Sequence, residues 1–239
     1  MGRLFLVRHA QASFLSQNYD QLSTLGETQS RLLGEFWARR KMPFDHVYTG
    51  PALRHLRTAQ IVADAYRKIG FAFPEPVTLA EFHEFQGEAL LSGSLPQLLA
   101  QDKVVRDLHE AVQASGNEIE KRAAFQRLFE AVVSRWVNGE ITPPNVEPWL
   151  DFCARVNRGL QGLLPDSGKG ANLAVFTSGG PIGVAVQHAL HLSPQDTLQI
   201  LWMSRNCSWS EFLFSRDRFT LSSFNSYPHL NDDSLLTYR

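Results

Sequence analysis

An arginine and a histidine stand side by side at the end of a short apolar run, FLVRHAQAS at residues 5–13. Leu4-Phe5-Leu6-Val7 has the unbroken apolar character of a strand buried on both faces of a parallel sheet. Ligands of open α/β sheets bind just beyond the carboxyl ends of such strands. At that position Arg8 supplies a permanent charge in a planar fork matched to phosphate oxygens. His9 supplies a neutral imidazole nitrogen able to act as base, metal ligand or nucleophile. The competing reading is a solvated surface loop, since packing alone gives no reason for the pair.

A second strand-to-helix passage, HVYTGPALRHLRTAQIV, covers residues 46–62. His46–Thr49 reads as strand, Gly50-Pro51 as the break, and Pro51 suits the start of a helix. Arg54, Arg57 and Thr58 are spaced to share one face of that helix. Basic groups in a first turn oppose the helix dipole, so the two arginines invite a functional explanation. Leu53, Leu56, Ala59, Ala63, Tyr66 and Ile69 are the expected buried stripe, with Gly70 as a left-handed cap. His46, His55 and His109 are read as structural.

These segments fall into an order that carries a resemblance. RHA after the first strand, LSTLGETQ at 22–29, YTGPALRHLRTA at 48–59, LAEF at 79–82 and FTSGGPI at 176–182 follow one another. Through them the chain resembles the histidine phosphatase superfamily (phosphoglycerate mutase-like, RHG-motif proteins) over about residues 3–90 and 146–230. The resemblance implies phosphoryl transfer through a phosphohistidine, without metal or other cofactor. It implies His9 as nucleophile, Arg8 and Arg54 as grips on the phosphoryl oxygens, and Glu81 as proton donor, with Glu84 the alternative. Gln11, Ser178 and Gly179 complete the implied phosphate-binding set.

Two positions depart from the family pattern. Ala10 replaces a glycine, which says only that no positive φ is needed there. Ser178 stands where a second pocket histidine is expected, so one donor of the phosphate site is weakened. A serine hydroxyl still donates one hydrogen bond, and Gly179-Gly180 at a helix start can present backbone N–H groups to an anion. His229, in the tail FNSYPHL, is the first side chain to consider as a replacement donor.

The function that follows is a metal-independent phosphatase acting on a small phosphomonoester. The alternatives are a low-activity or inactive phosphate-binding, regulatory member of the same fold, and a phosphoglycerate mutase-type phosphotransferase. An unrelated α/β binding module would require the ordered motifs to coincide by accident. The substrate and the oligomeric state have no signature in the chain.

The elements that position these residues are legible from periodicity. Strands and helices alternate through most of the chain, which predicts a three-layer α/β/α sandwich with a mostly parallel sheet. Thr24-Leu25-Gly26-Glu27 reads as a capping box opening the first helix. A strand is expected at Val77–Leu79. Apolar residues at helical spacing, without a convincing strand, mark about 82–148 as a helical cap inserted into a single domain spanning 1–239. A helix at about 147–164, a strand at 172–177 and a helix at about 181–191 return to the core. Thr197–Met203 reads as a further strand, and Ser208–Phe214 with Arg218–Phe224 as an antiparallel hairpin turning at Arg216-Asp217.

Composition narrows the setting. A net charge of −1 and the lack of any basic run speak against a nucleic-acid partner. Two cysteines, Cys153 and Cys207, point to a reducing, cytoplasmic setting rather than a disulfide framework. No apolar run is long enough to span a membrane, the N-terminus is not a signal peptide, and Leu6 stands where a myristoylation signal needs a hydroxyl. Ser167-Gly168-Lys169-Gly170 lacks phosphate-loop spacing and reads as a surface turn. His188 and His191 have no third metal ligand at a suitable spacing.

Overall fold

The computed structural model describes residues 1–13, 20–164 and 170–238. It divides into two compact units, one of Met1–Glu84 with Arg155–Arg239 and one of Phe85–Ala154. The predicted turn at Ser167–Gly170 lies, apart from Gly170, outside the described residues.

The first unit is built on a six-stranded sheet in the order β3-β2-β4-β1-β5-β6. Its strands are β1 (Gly2–Arg8), β2 (His46–Thr49), β3 (Val77–Thr78), β4 (Asn172–Thr177), β5 (Trp209–Ser215) and β6 (Arg218–Ser226). The first four run parallel, while β5 pairs antiparallel with β1 and with β6. Every carboxyl end of the parallel set therefore opens on one edge. Arg8 and Arg54 follow strands expected to be neighbours, yet β4 lies between β1 and β2. The correction strengthens the geometry, because the loop after β4 now falls between the two arginine loops.

Both faces of the sheet are covered, as the unbroken apolar runs require. Phe5, Val7, Val47, Ala174 and Phe176 join a core with Leu33 and Trp37 of α1 (Thr24–Arg39) and Val62 and Tyr66 of α2 (Leu53–Lys68). Leu4, Leu6, Leu173 and Val175 alternate with them and are fully buried on the opposite face. That side includes α7 (Gly179–Leu190), whose His188 ring packs on Phe219, which in turn stacks on Phe212.

Three local readings are corrected. Ser23, not Thr24, caps α1, its hydroxyl accepting from the Gly26 N–H at 3.0 Å. The segment predicted as a strand at Thr197–Met203 is α8 (Pro194–Met203). Ser193 caps it, Pro194 opens it, and Thr197, Leu198 and Leu201 are buried at helical spacing. The buried stripe of α2 is His55, Thr58, Ala59, Val62, Ala65 and Tyr66, whereas Leu53 and Ile69 are about half exposed. The helix is thus rotated from the expected face, and its inward line begins with two polar residues.

The second unit holds α3 (Gly87–Gln101), α4 (Lys103–Gln113), α5 (Glu118–Val137) and the beginning of α6 (Trp149–Leu163). Its core gathers Phe85, Phe129, Trp136, Trp149 and Phe152 in ring contact. Asp102 caps α4 and pairs with Arg135 of α5 at 2.6 Å, and that guanidinium is the main cause holding the carboxyl below its ordinary range.

Candidate active site

Strand β1 ends in the buried pair Arg8-His9. The backbone after the strand stays laddered: the His9 N–H donates to Thr177 O at 2.8 Å, and the Arg8 N–H to Ser208 O at 2.9 Å. Asn206 donates its side-chain amide to His9 O at 3.2 Å. Cys207, with φ of 60°, turns its N–H onto the Arg8 and His9 carbonyls. A non-glycine residue held left-handed is a locally strained choice, and here it buttresses the histidine backbone from behind. The Arg8 guanidinium hydrogen-bonds the Ser204 carbonyl through Nη1.

His9 places Nδ1 2.7 Å from the Ala10 carbonyl oxygen. A carbonyl only accepts, so Nδ1 carries the ring proton and Nε2 keeps its lone pair. Burial, then electrostatic interaction with Arg54, His55 and Arg8, hold this imidazole well below its ordinary pKa of 6.5. It is therefore neutral, with a basic nitrogen beside two guanidinium groups. Ala10 has no left-handed backbone, and its N–H donates to the Thr58 hydroxyl at 3.2 Å, tying the loop to α2.

Helix α2 brings Arg54 and His55 to this edge. The helix has no acidic residue in its first turn and no side-chain cap of its own. Asp20 supplies both functions from outside, accepting from the Leu53 N–H at 2.8 Å and from Arg54 Nη1 at 2.6 Å. This resolves the unfavourable placement of Arg54 against the dipole. Arg54 Nη2 reaches Ser178 Oγ at 3.5 Å. His55, fully buried, sets Nε2 2.7 Å from the same oxygen. Its pKa is also held well below 6.5, first by burial, then by Arg54 and His83, against a smaller backbone contribution from Gly50. The ring lies so close to Gly50 that a Cβ there would come within 2.4 Å of Nδ1, so glycine is required by the approach. The rings of His9 and His55 are 5.6 Å apart.

Ser178 closes the cluster at the start of α7. It occupies the N-cap position with extended backbone but makes no side-chain cap bond. The helix is capped instead by Glu84, whose Oε2 accepts from the Gly180 N–H at 3.1 Å. A serine N-cap contributes about 1 kcal/mol to a helix, and here that hydroxyl is turned to His55 and Arg54. Arg8 approaches from the other strand, its Nε 4.0 Å from where a Gly179 Cβ would stand. Two guanidinium groups thus flank Ser178-Gly179, although 46 positions separate Arg8 from Arg54 in the chain.

Several sequence expectations land elsewhere. Glu81 sits in a 3₁₀ turn, Ala80–Phe82, with its Cβ against Gly159 of α6. Arg155 holds that turn by donating to the carbonyls of Ala80, Glu81 and His83. The carboxylate that contacts the start of α7 is Glu84. Gly180 gives its N–H to that carboxylate rather than presenting it to an anion. Gln11 accepts from the Ser23 hydroxyl at 2.8 Å and is tied to the start of α1. Arg57, the other arginine of that helix face, forms an exposed pair with Glu27 at 2.7 Å. His229 stacks on Trp209 and lies tilted against Phe36 rather than entering the cluster as a replacement donor. His55, read as structural, is the residue the sequence reading missed. Its signal was the stripe 55-58-59-62-66, which is a clean helical face once polar residues are admitted to it.

Comparison with known proteins gives the family context. A model of the histidine phosphatase superfamily (branch 1) matches residues 4–94 and 100–227. No match was found among curated proteins. A phosphoserine phosphatase from Entamoeba histolytica, solved with phosphoserine, is similar with a TM-score of 0.63 and 16% identity, covering 96% of this chain and 100% of that one. A mycobacterial glucosyl-3-phosphoglycerate phosphatase gives 0.61 and 17%, covering 95% and 99%. A phosphoglycerate mutase from Bacillus anthracis gives 0.61 and 14%, covering 96% and 95%. At these identities the solved structures show a shared fold.

Proposed function

The chain belongs to the histidine phosphatase superfamily, and from that premise we propose that it hydrolyses a small phosphomonoester through a phosphohistidine on His9, without a metal. The observation that carries this reading is the His9 imidazole: neutral, protonated on Nδ1 by its bond to Ala10 O, and flanked by Arg8 and Arg54. The Nε2 lone pair attacks phosphorus, forming a P–N bond as the bond to the leaving oxygen breaks. Arg8 and Arg54 balance the charge on the phosphoryl oxygens, as preorganised donors do in an oxyanion hole. Water then attacks the phosphohistidine, restoring His9 and releasing inorganic phosphate.

Glu84 is the proton donor in this scheme. Its carboxyl accepts from the Gly180 N–H, two residues beyond Ser178, whereas Glu81 lies in the 3₁₀ turn with its Cβ beside Gly159 of α6. It protonates the leaving oxygen and recovers the proton from the attacking water. Burial pushes the Cys153 thiol up to about 12 and raises that of Cys207 as well, which fits inert thiols in a reducing, cytoplasmic setting. No helix among the described residues is long and apolar enough to cross a membrane.

The test is a panel of phosphomonoesters given to the purified protein and to its His9→Ala variant. Release of inorganic phosphate that disappears in the variant is expected. Undiminished release from folded His9→Ala protein would end the reading. A binding-only role predicts retained phosphate affinity with no release in either form.

A further inference from the structure

The bond between His55 and Ser178 is a polar contact of the cluster that the scheme above leaves unused. Ser178 Oγ has two lone pairs and one proton. Arg54 can only donate, and its Nη2 approaches Oγ at 3.5 Å. His55 Nε2 stands closer, at 2.7 Å. When both nitrogens donate, both lone pairs are engaged and the hydroxyl proton turns away from them. We propose that His55 and Ser178 form a relay in which the His55 Nε2–H donates to Ser178 Oγ and thereby aims the serine O–H at a phosphoryl oxygen. The inference rests on the phosphoryl-transfer reading of the same site. It makes His55 a positioning residue acting through Ser178.

Three observations support the relay. Ser178 holds an N-cap position but does not cap its own helix; Glu84 takes the Gly180 N–H, and the hydroxyl is left for His55 and Arg54. His55 is enclosed, at 0% exposure, on a glycine that no side chain could replace without displacing the ring. The His9 and His55 rings are 5.6 Å apart, which brings the relay beside the nucleophile. Chains of hydrogen bonds polarise one another, so a hydroxyl that accepts from an imidazole is a better donor than an isolated one.

The experiment measures phosphoenzyme formation and steady-state kinetics with p-nitrophenyl phosphate. It uses wild type, His55→Leu, His55→Gln, Ser178→Ala and the His55→Leu/Ser178→Ala double variant, with folding checked by circular dichroism and melting. Loss of a hydrogen bond to a charged group should slow phosphorylation in His55→Leu and in Ser178→Ala by about tenfold or more, with a smaller change in KM. The double variant should be no slower than the slower single one, because the two residues act as a unit. His55→Gln, which keeps an N–H at the same reach, should recover most of the loss. A purely packing role would lower Tm without this split between kcat and KM and without rescue. Wild-type phosphorylation rates in folded His55→Leu, or losses that multiply in the double variant, would overturn the relay while leaving the His9 chemistry intact. Should His55→Leu fail to fold, His55→Gln and Ser178→Ala decide, with an unaffected Ser178→Ala rate overturning the proposal. Wild-type protein that carries no label on His9 would overturn the phosphatase reading itself.

Discussion

Two buried histidine environments in the sheet unit invite comparison. His229 lies against Trp209 and Phe36, and burial lowers its pKa to about 3 against a smaller, opposing contribution from the Cys207 backbone. His9 and His55 are as deeply buried, but arginine charge adds to the effect of burial, and one nitrogen of each ring faces a polar partner, His9 Nδ1 the Ala10 carbonyl and His55 Nε2 the Ser178 hydroxyl. Burial makes a neutral imidazole in both places. Only among the arginines does that neutrality have a use in the proposed chemistry, where a basic nitrogen meets a phosphoryl group. A perturbed histidine is thus a poor marker of function until its neighbours are named.

The largest expected effect concerns the arginine-lined side. Glu84→Gln keeps an oxygen to accept from Gly180 but removes the proton, and should cost about 10²–10⁴ in kcat with alkyl phosphates. The loss should be much smaller with p-nitrophenyl phosphate, whose leaving group barely needs protonation. A large, leaving-group-dependent loss in Glu81→Gln with none in Glu84→Gln would return the role to Glu81.

A Ser178→His change sharpens the comparison from inside the cluster. With His55 Nε2 only 2.7 Å from the serine oxygen, a second imidazole has no room, and kcat should fall. A rise in kcat would mean that the site was simply missing a donor and that His55 does not supply it.

His229 tests the aromatic side. Its folded pKa lies below the unfolded value, so the unfolded chain takes up the proton as pH falls below about 6.5 and the folded chain does not. Stability is lost in that direction, by about 2 kcal/mol between pH 7 and pH 5 for this group. His229→Phe should remove that share of the acid sensitivity in denaturant titrations at the two pH values and leave kcat unchanged. A matching fall in kcat would place His229 in the chemistry and break the contrast. The smallest effect belongs to Arg57→Ala, which removes an exposed ion pair and should shift unfolding by under about 0.5 kcal/mol.

Much of the sheet was legible because its strands announce themselves. Leu4–Val7 and Leu173–Phe176 are apolar runs too short for helices, and β3 is bracketed by proline and a turn. Residues 197–203 misled because Leu198, Ile200 and Trp202 alternate, whereas the buried helical face is Thr197, Leu198 and Leu201, and the decisive signal was the Ser193 cap with Pro194 behind it. The site was half legible. Arg8, His9 and Arg54, which the structure brings to one edge of the sheet, could be singled out because charge at a strand end or in a first helical turn needs a reason. His55 was hidden by the assumption that an inward stripe is apolar, which favoured Leu53 and Leu56 over His55 and Thr58. The cap exchange at α7 was beyond reach, since it depends on Glu84 and Gly180 meeting across 96 positions.

The central claim is that Nε2 of His9 is the nucleophile because Nδ1 is committed to Ala10 O. Rapid-quench labelling with a phosphomonoester, followed by ³¹P NMR of the denatured phosphoprotein, reads the phosphorylated nitrogen directly. The account predicts an acid-labile, base-stable phosphohistidine on His9, linked through Nε2 and absent from His9→Ala. Phosphate linked through Nδ1, or turnover at the full rate with no label on His9, would contradict it.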